Sequence, residues 1–527
     1  MFGLLRRARP VPRAPLLDLR WDGRELRLAC TPRALAAIAL ELDGCHFATV
    51  VPDADGRARF AFAFAPSGAA SAELLPRAGR DGAALAAGPV RLEFGRARSL
   101  AASAGSRRAP LAPLAASRLV PFGRDVAARE VVVVVPVHNA PALVERCLAA
   151  VRAHLDPATR VIVIDDASTD AAIAPLLARA AGFARVLRND SNRGFTATAN
   201  RGIAEAGRAD VVLLNADAEV GPNWLAGLRR AAYAADDIAS ATAVSDNAGA
   251  FSVPELERDN PLPPAWTTEH AARANWLHAG LAYPELPTGN GFCMYLRRDA
   301  IDAVGVLDEA AFPQGYGEEN DWSQRAAQRG LRHVVAGNVF VRHARSASFG
   351  EARRAALGRA GMAVLRERWP QYESDVARTL FSYERLVLDW RVRRIRADAG
   401  DRGVPLQRLL WVGEGAPAWR DAEVWNLRAN GARNELVHAG RVVAASEWVA
   451  RDPEPSYRAL WDWLQLHAIE ALLVREPRAS VAEILCGLLG IPRLRIADPS
   501  ARSATEALRT AECLPPARVP PTSDSPA

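Results

Sequence analysis

An α/β protein is expected, with a central, mostly parallel sheet covered by helices, an all-β domain before it and a small α/β unit after it. Three observations carry this expectation. From Val131 onward, short apolar runs alternate with helical stretches, the pattern of buried parallel strands joined by crossover helices. Residues 15–98 instead alternate in period two between Asp/Gly turns, as a small antiparallel sheet or sandwich does. Residues 403–500 return to strand-helix alternation.

In chain order, the N-terminal strands are expected at Glu25–Cys30, Ala37–Leu42, His46–Val51 and Arg59–Phe64. Residues 99–127, rich in Ala, Ser, Arg and Pro, read as a linker. The central domain, residues 128–350, has strands at Val131–Val137, Arg160–Ile164, Ala184–Leu187 and Val211–Leu214, with helices at 141–153, 171–181, 195–206 and 222–235. Residues 351–402 read as a basic helical extension ending in Trp390–Arg396. That end is expected to be a solvated helix face, with an anionic membrane surface as the second reading. The last α/β unit has strands at Arg408–Val412, Ala471–Val474 and Leu494–Ile496, and the Ala/Pro/Ser-rich tail 503–527 is expected to be disordered.

Composition narrows the function classes. With 527 residues, half of them apolar and a quarter charged, the chain has the balance of a globular protein of about three domains. All 66 basic residues are Arg, spread along the chain and matched by 60 carboxylates. A nucleic-acid partner is not expected, because it would need a clustered basic face. The six Cys stand far apart without metal-ligand spacing, as in a reducing compartment. No signal-length apolar stretch opens the sequence, and Val131–Val137 is far shorter than the ~20 residues of a membrane span. The expected location is cytoplasmic, with peripheral contact at the inner face of a membrane kept open.

Ligands on parallel sheets bind beyond the carboxyl ends of the strands, so the polar residues there matter most. After the first strand comes Pro136-Val-His138-Asn139-Ala-Pro141, where Asn139 suits a helix cap and Pro141 a first turn. After the second comes Asp165-Asp166-Ala-Ser168-Thr169-Asp170; Ser, Thr or Asp can cap the next helix, and a strand-end carboxylate can accept a uracil or thymine ring N–H or ribose hydroxyls. Asn189-Asp-Ser-Asn192-Arg193-Gly194-Phe195 leads into a helix, where a glycine lets backbone N–H groups approach a phosphate and Arg193 can pair with the same anion. Asn215-Ala-Asp217 ends the fourth strand, and Asp217 can bridge a hard divalent cation to a diphosphate. Glu318, Glu319 and Asp321 open a later helix; they suit either the helix dipole or a general base held against a pocket. His343 closes a strand before Ser346–Gly350.

The series PVHN, IDDAST, NRGF, NADAEV, TGNGF, GEENDW and the strand-end His before SASFG resembles the family 2 glycosyltransferases of GT-A (Rossmann-like) fold, particularly the inverting bacterial polysaccharide and rhamnosyl types. The resemblance implies that Pro136, His138, Asp165, Asp166, Arg193, Gly194 and Asn215 line the nucleotide site. It implies that Asp217 and His343 hold Mg2+ or Mn2+, and that Glu319 or Asp321 is the base. Asn215 replaces the first acid of the family's DxD motif. The implied partners are a UDP- or dTDP-sugar and a hydroxyl on a glycan or lipid-linked glycan of surface polysaccharide. Two other classes compete. A sugar nucleotidylyltransferase needs a Gly-rich signature with Arg and Lys at the first strand, and this chain has no Lys. A non-catalytic carbohydrate-binding scaffold would not need acids at 217 and 319 with a His at 343.

Overall fold

The computed structural model describes residues 16–31, 35–95, 109–112, 114, 130–155, 159–344, 351–398, 405–447, 454–477, 480–496, 498 and 500–515. The chain separates into two compact units, one of residues 1–112 with 385–394, the other of 113–384 with 395–527.

In the first unit, β1 (Leu16–Trp21), β2 (Glu25–Thr31), β3 (Ile38–Leu42), β4 (Cys45–Val50), β5 (Arg57–Ala61), β6 (Ser71–Ala78) and β7 (Val90–Glu93) form two antiparallel sheets. Their orders are β1-β2-β5 and β4-β3-β6-β7. Aromatic rings fill the interior: Phe62 packs on Trp21 at 5.4 Å and on Phe47 at 5.6 Å between centroids. Helical residues 385–394 complete this core, with the Trp390 indole donating to the Leu42 carbonyl at 3.0 Å.

The basic helix therefore departs from the sequence-based expectation. Arg385, Arg391 and Arg394 are buried, neither solvated nor available to a membrane. Arg385 pairs with Asp389 at 3.0 Å and Arg394 with Asp43 at 3.1 Å, while Arg391 donates to the Ser67 carbonyl at 3.3 Å. Arg buries well because its fork can satisfy several acceptors at once. The Ser67 and Asp43 acceptors of Arg391 and Arg394 lie more than 300 residues away, so the sequence pattern does not reveal them.

The second unit is built on an eight-stranded sheet. In chain order come β8 (Val131–Val137), α1 (Pro141–His154), β9 (Arg160–Asp165), α2 (Ile173–Ala180), β10 (Arg185–Arg188), α3 (Phe195–Glu205), β11 (Asp210–Leu214), β12 (Ala218–Glu219) and α4 (Trp224–Ala232). They are followed by β13 (Ile238–Val244), α5 (Thr268–His278), β14 (Glu285–Leu286), β15 (Cys293–Leu296), α6 (Arg298–Val304), α7 (Glu318–Ala327), β16 (Arg332–Phe340) and β17 (Arg342–His343). The sheet order is β10-β9-β8-β11-β15-β13-β16-β14. Strands β8 to β11 are mutually parallel, with Val132 opposite Val211 and Val133 opposite Val161. β15 is antiparallel to both neighbours, so the sheet is mixed. Val131–Val135 are all buried because helices cover both faces, and β-branched side chains suit such a strand. Val134, Ile164, Val211 and Trp322 belong to one core cluster, which ties α7 to the sheet.

Beyond residue 350, α8 (Glu351–Arg368), α9 (Tyr372–Thr379) and α10 (Tyr383–Ala397) precede a seven-stranded sheet. It consists of β18 (Gln407–Val412), β19 (Ala422–Asn430), β20 (Arg433–His438), β21 (Arg441–Glu447), β22 (Ala471–Val474), β23 (Arg493–Arg495) and β24 (Glu512–Leu514), with α11 (Glu454–Leu466), α12 (Val481–Leu488) and α13 (Ala504–Arg509). The sequence reading missed the meander β19–β21, whose residues lack strict alternation. The tail also differs from expectation: the Ser503 side chain caps α13 through Glu506 N–H, and β24 pairs with β23. Buried Ala504 and Ala507 anchor a segment whose composition alone reads as disordered. Residues 516–527 lie outside the described residues. This sheet unit packs directly on the larger one: Trp276 donates to the Ala468 carbonyl at 3.1 Å, and Arg273 pairs with Glu470 at 3.3 Å.

Candidate active site

The loops after β8, β9 and β10 knit into one frame. The Asp166 carboxylate is buried and accepts three hydrogen bonds, from Asn189 Nδ2 at 2.7 Å, Arg193 N at 2.8 Å and Gly194 N at 2.9 Å. Asp165 accepts from Ser168 N at 2.8 Å and pairs with Arg188. Both acids thus organise the protein's own loops, and the N–H groups of Arg193 and Gly194 point at Asp166 instead of at an open phosphate position. That corrects the expectation that these N–H groups are free for a phosphate. Gly194 is required for a different reason: its φ is +84° and a Cβ there would meet the Pro313 carbonyl at 2.2 Å.

Asn139 also does something other than cap its own helix. α1 starts without a side-chain cap, while Asn139 Oδ1 accepts from Thr169 N at 2.9 Å and Asp170 N at 3.0 Å. It closes the loop that follows Asp166. No side chain caps α2 either; Asp170 Oδ1 accepts from Ala172 N at 2.9 Å just before that helix. Pro136 lies in β8, half-buried. His138 is half-buried and donates from Nδ1 to the Asp166 carbonyl at 3.0 Å. The Arg193 guanidinium stays half exposed, 4.0 Å from Glu309.

A second cluster forms where β12 pairs with β17. Ala218 stands opposite His343, which brings His343 Nε2 to 3.2 Å from Asp217 Oδ1. His343 Nδ1 donates to the Asn247 carbonyl at 2.9 Å, which fixes the ring's orientation as metal-bound imidazoles require. Phe292 stacks on the ring at 5.1 Å, and its carbonyl accepts from Asn215 N at 2.9 Å.

Nε2 and the Asp217 Oδ1 converge at 3.2 Å, so the pair offers one nitrogen and one oxygen ligand on the same side. Among the described residues no cluster of three or more His, Cys, Asp or Glu side chains suits a metal. The two side chains therefore fit a cation that takes its remaining oxygens from substrate and water, as Mg2+ and Mn2+ sites on phosphates do. Ser346–Gly350 lie outside the described residues.

The acidic helix supplies the third cluster. Asp321 is fully buried and saturated: Arg325 Nε at 2.9 Å, Arg368 Nη1 at 3.1 Å and Trp369 Nε1 at 3.0 Å all reach its carboxylate. Its expected candidacy as base is thereby corrected, since three donors of the same chain already occupy the buried carboxylate. Glu319 differs. Its Oε2 is buried without any hydrogen-bond partner, and burial pushes the carboxyl above its ordinary range, with the Gly317 and Gly291 N–H groups pulling back. Gly291 adjoins Phe292, so the 288–292 segment runs from the Glu319 carboxyl to the His343 ring.

Glu318, the first acid of the same helix, is also buried and accepts from Gly317 N at 3.0 Å. Burial, and then the neighbouring Glu319 charge, raise its carboxyl well above the ordinary range. The run of acids was visible in sequence; which of them turn inward was not. α8 and α9 back this corner. Gly361 of α8 lies so close to the Tyr316 carbonyl that a Cβ would come within 1.8 Å, and Tyr372 of α9, buried, is near enough to Glu319 for the acid to raise its phenol further.

Residues 132–305 match the family model for glycosyl transferase family 2. This family 2 segment covers β8 through α6 and includes the Asp217 loop, whereas Glu319 and His343 lie beyond it. The sequence matches none of the curated proteins. Among solved structures, similarity is found to GalNAc-T7 with UDP, GalNAc and Mn2+, at 18% identity and a TM-score of 0.32, covering 41% of this chain and 44% of that one. It is also found to a mannosyltransferase from Pyrobaculum calidifontis in complex with GDP-Man and Mn2+, at 18% identity and a TM-score of 0.37, covering 55% and 80%. This chain thus spans less than half of the first of these.

Proposed function

We propose that the protein is an inverting glycosyltransferase that moves a sugar from a nucleoside-diphosphate donor, UDP- or dTDP-linked, to a hydroxyl of a glycan or lipid-linked glycan in surface polysaccharide assembly. The single observation that carries this reading is the unpartnered buried oxygen of Glu319, set one short segment away from the Asp217–His343 pair. A buried acceptor without a donor is costly, and a hydroxyl group of an acceptor sugar supplies the missing donor.

In the proposed reaction, Glu319 takes the proton of that hydroxyl. The oxygen forms a bond to the anomeric carbon from the face opposite the diphosphate, and the anomeric C–O bond to the diphosphate breaks. Configuration inverts. A divalent cation held by Asp217 and His343 would supply positive charge to the departing diphosphate. Arg193, half exposed, would pair with the same anion. Glu319 suits the base because burial raises its proton affinity toward working pH while leaving it ionisable. His138, Asn215 and Pro136 line the nucleotide end; Asp165, Asp166 and Gly194 shape it through the loops they hold. Among the described residues no helix is long and apolar enough to cross a membrane; a cytoplasmic location, peripheral to the inner face of a membrane, is part of the same proposal.

Transfer or hydrolysis of labelled sugar from UDP- and dTDP-sugars, with and without Mn2+, tests the reading. Sugar release that requires Mn2+ and is lost in Glu319→Gln is expected. No turnover from any nucleotide sugar, together with no thermal stabilisation by one, would leave the scaffold alternative standing.

A further inference from the structure

The first turn of α7 holds two consecutive glutamates that both turn inward. Glu318 is 3% exposed, and Glu319 keeps Oε2 shut off from solvent. Two ionised carboxylates side by side in a low-dielectric corner repel strongly, so a buried pair holds one proton between its members. The surroundings decide which member carries it. Among the described residues no guanidinium pairs with either carboxyl: Arg325 and Arg368 are both engaged by Asp321, and Arg368 by Asp308 as well. Tyr372 lies near Glu319 from α9 as a phenol that burial keeps neutral, so it brings no positive charge to balance a second negative one.

We infer that Glu318 is a positioning residue for Glu319: it stays a neutral carboxylic acid, donates its hydrogen to the Glu319 carboxylate, and thereby turns the unpartnered Oε2 toward the acceptor hydroxyl. The inference rests on Glu319 being the base. Gly317, with φ at +147°, starts the helix so that its N–H meets Glu318 Oε2 at 3.0 Å. That contact holds one oxygen of Glu318 in place and leaves the other to carry the proton. The direction of the shifts agrees, since the hydrogen bond between the pair raises Glu318 and lowers Glu319.

A structural role and a positioning role separate in the pH profile of kcat. Glu318→Ala removes the donor, so Glu319 should ionise at higher pH: the ascending limb moves to alkaline pH and kcat at neutral pH falls about tenfold, with donor KM within about twofold. Glu318→Gln keeps an N–H donor in the same volume and should bring kcat back to within about threefold, with the limb near its wild-type position. The inference is overturned if neither variant moves the limb, or if both lose activity equally with folding intact by thermal melting. Glu319→Gln, run in parallel, separates the two readings. Full turnover there removes the base assignment itself, whereas loss of turnover there with unmoved Glu318 profiles removes only the positioning role.

Discussion

The two ends of the site treat their polar groups in opposite ways. Around Asp165, Asp166 and Asn139, nearly every donor meets an acceptor of the same chain, and three loops become one frame. Around Glu319 the balance differs: its Oε2 is buried without a hydrogen-bond partner, while Asp217 and His343 face each other at 3.2 Å. Buried polar groups are normally satisfied, so saturation marks the part that holds shape, and under the proposed function the unpartnered Glu319 oxygen marks the part that meets substrate. The same contrast separates Asp321 from Glu319, two residues apart on one helix.

The largest effect expected from breaking this contrast is on the unsaturated side. Glu319→Gln should lower kcat by about 10²- to 10⁴-fold while donor binding, followed by calorimetry, is kept. Asp321→Ala should act on the fold instead, costing about 3 kcal/mol in urea denaturation, because it removes one buried acceptor shared by two guanidiniums and the Trp369 indole. Asp166→Asn puts an amide N–H against donors and should cost about 1–3 kcal/mol; if it weakened donor binding without destabilising the chain, the frame assignment would be wrong.

Asp217→Asn should raise the Mn2+ concentration for half-maximal turnover by at least about tenfold, leaving the melting temperature without metal within a few degrees. The smallest effect concerns pH. Glu319 has a raised folded value, so its contribution to stability is present below its ordinary value of 4.5 and is lost as pH rises through the raised one. Glu319→Gln, free of that loss, should therefore melt higher than wild type at pH 8, with the gap closing toward pH 4.

The periodicity of Val131–Leu214 made the strands and helices of the family 2 segment legible, because burial on both faces demands uninterrupted apolar runs. Residue order also pointed to Asp217, Glu319 and His343, which the structure gathers near one segment, 288–292. What stayed hidden depends on partners distant in sequence. Asp166 looked like a ligand for a base because the loop that engages it comes 23 residues later, and Asp321 looked like an alternative base because Arg368 and Trp369 lie beyond the motif region. The buried arginines at 391 and 394 looked solvated for the same reason. A charge pattern tells where cations sit on a helix, not what faces them.

The brace on Asp321 has a practical reach. A recombinant fragment cut after residue 350 would contain every recognisable motif, yet it would lose Arg368, Trp369 and Tyr372, which wall the acid helix from behind. Such a truncation should be purified as an unstable or inactive product, and a piece meant for turnover has to keep Arg368, Trp369 and Tyr372 together with the C-terminal sheet that holds Trp276 and Arg273.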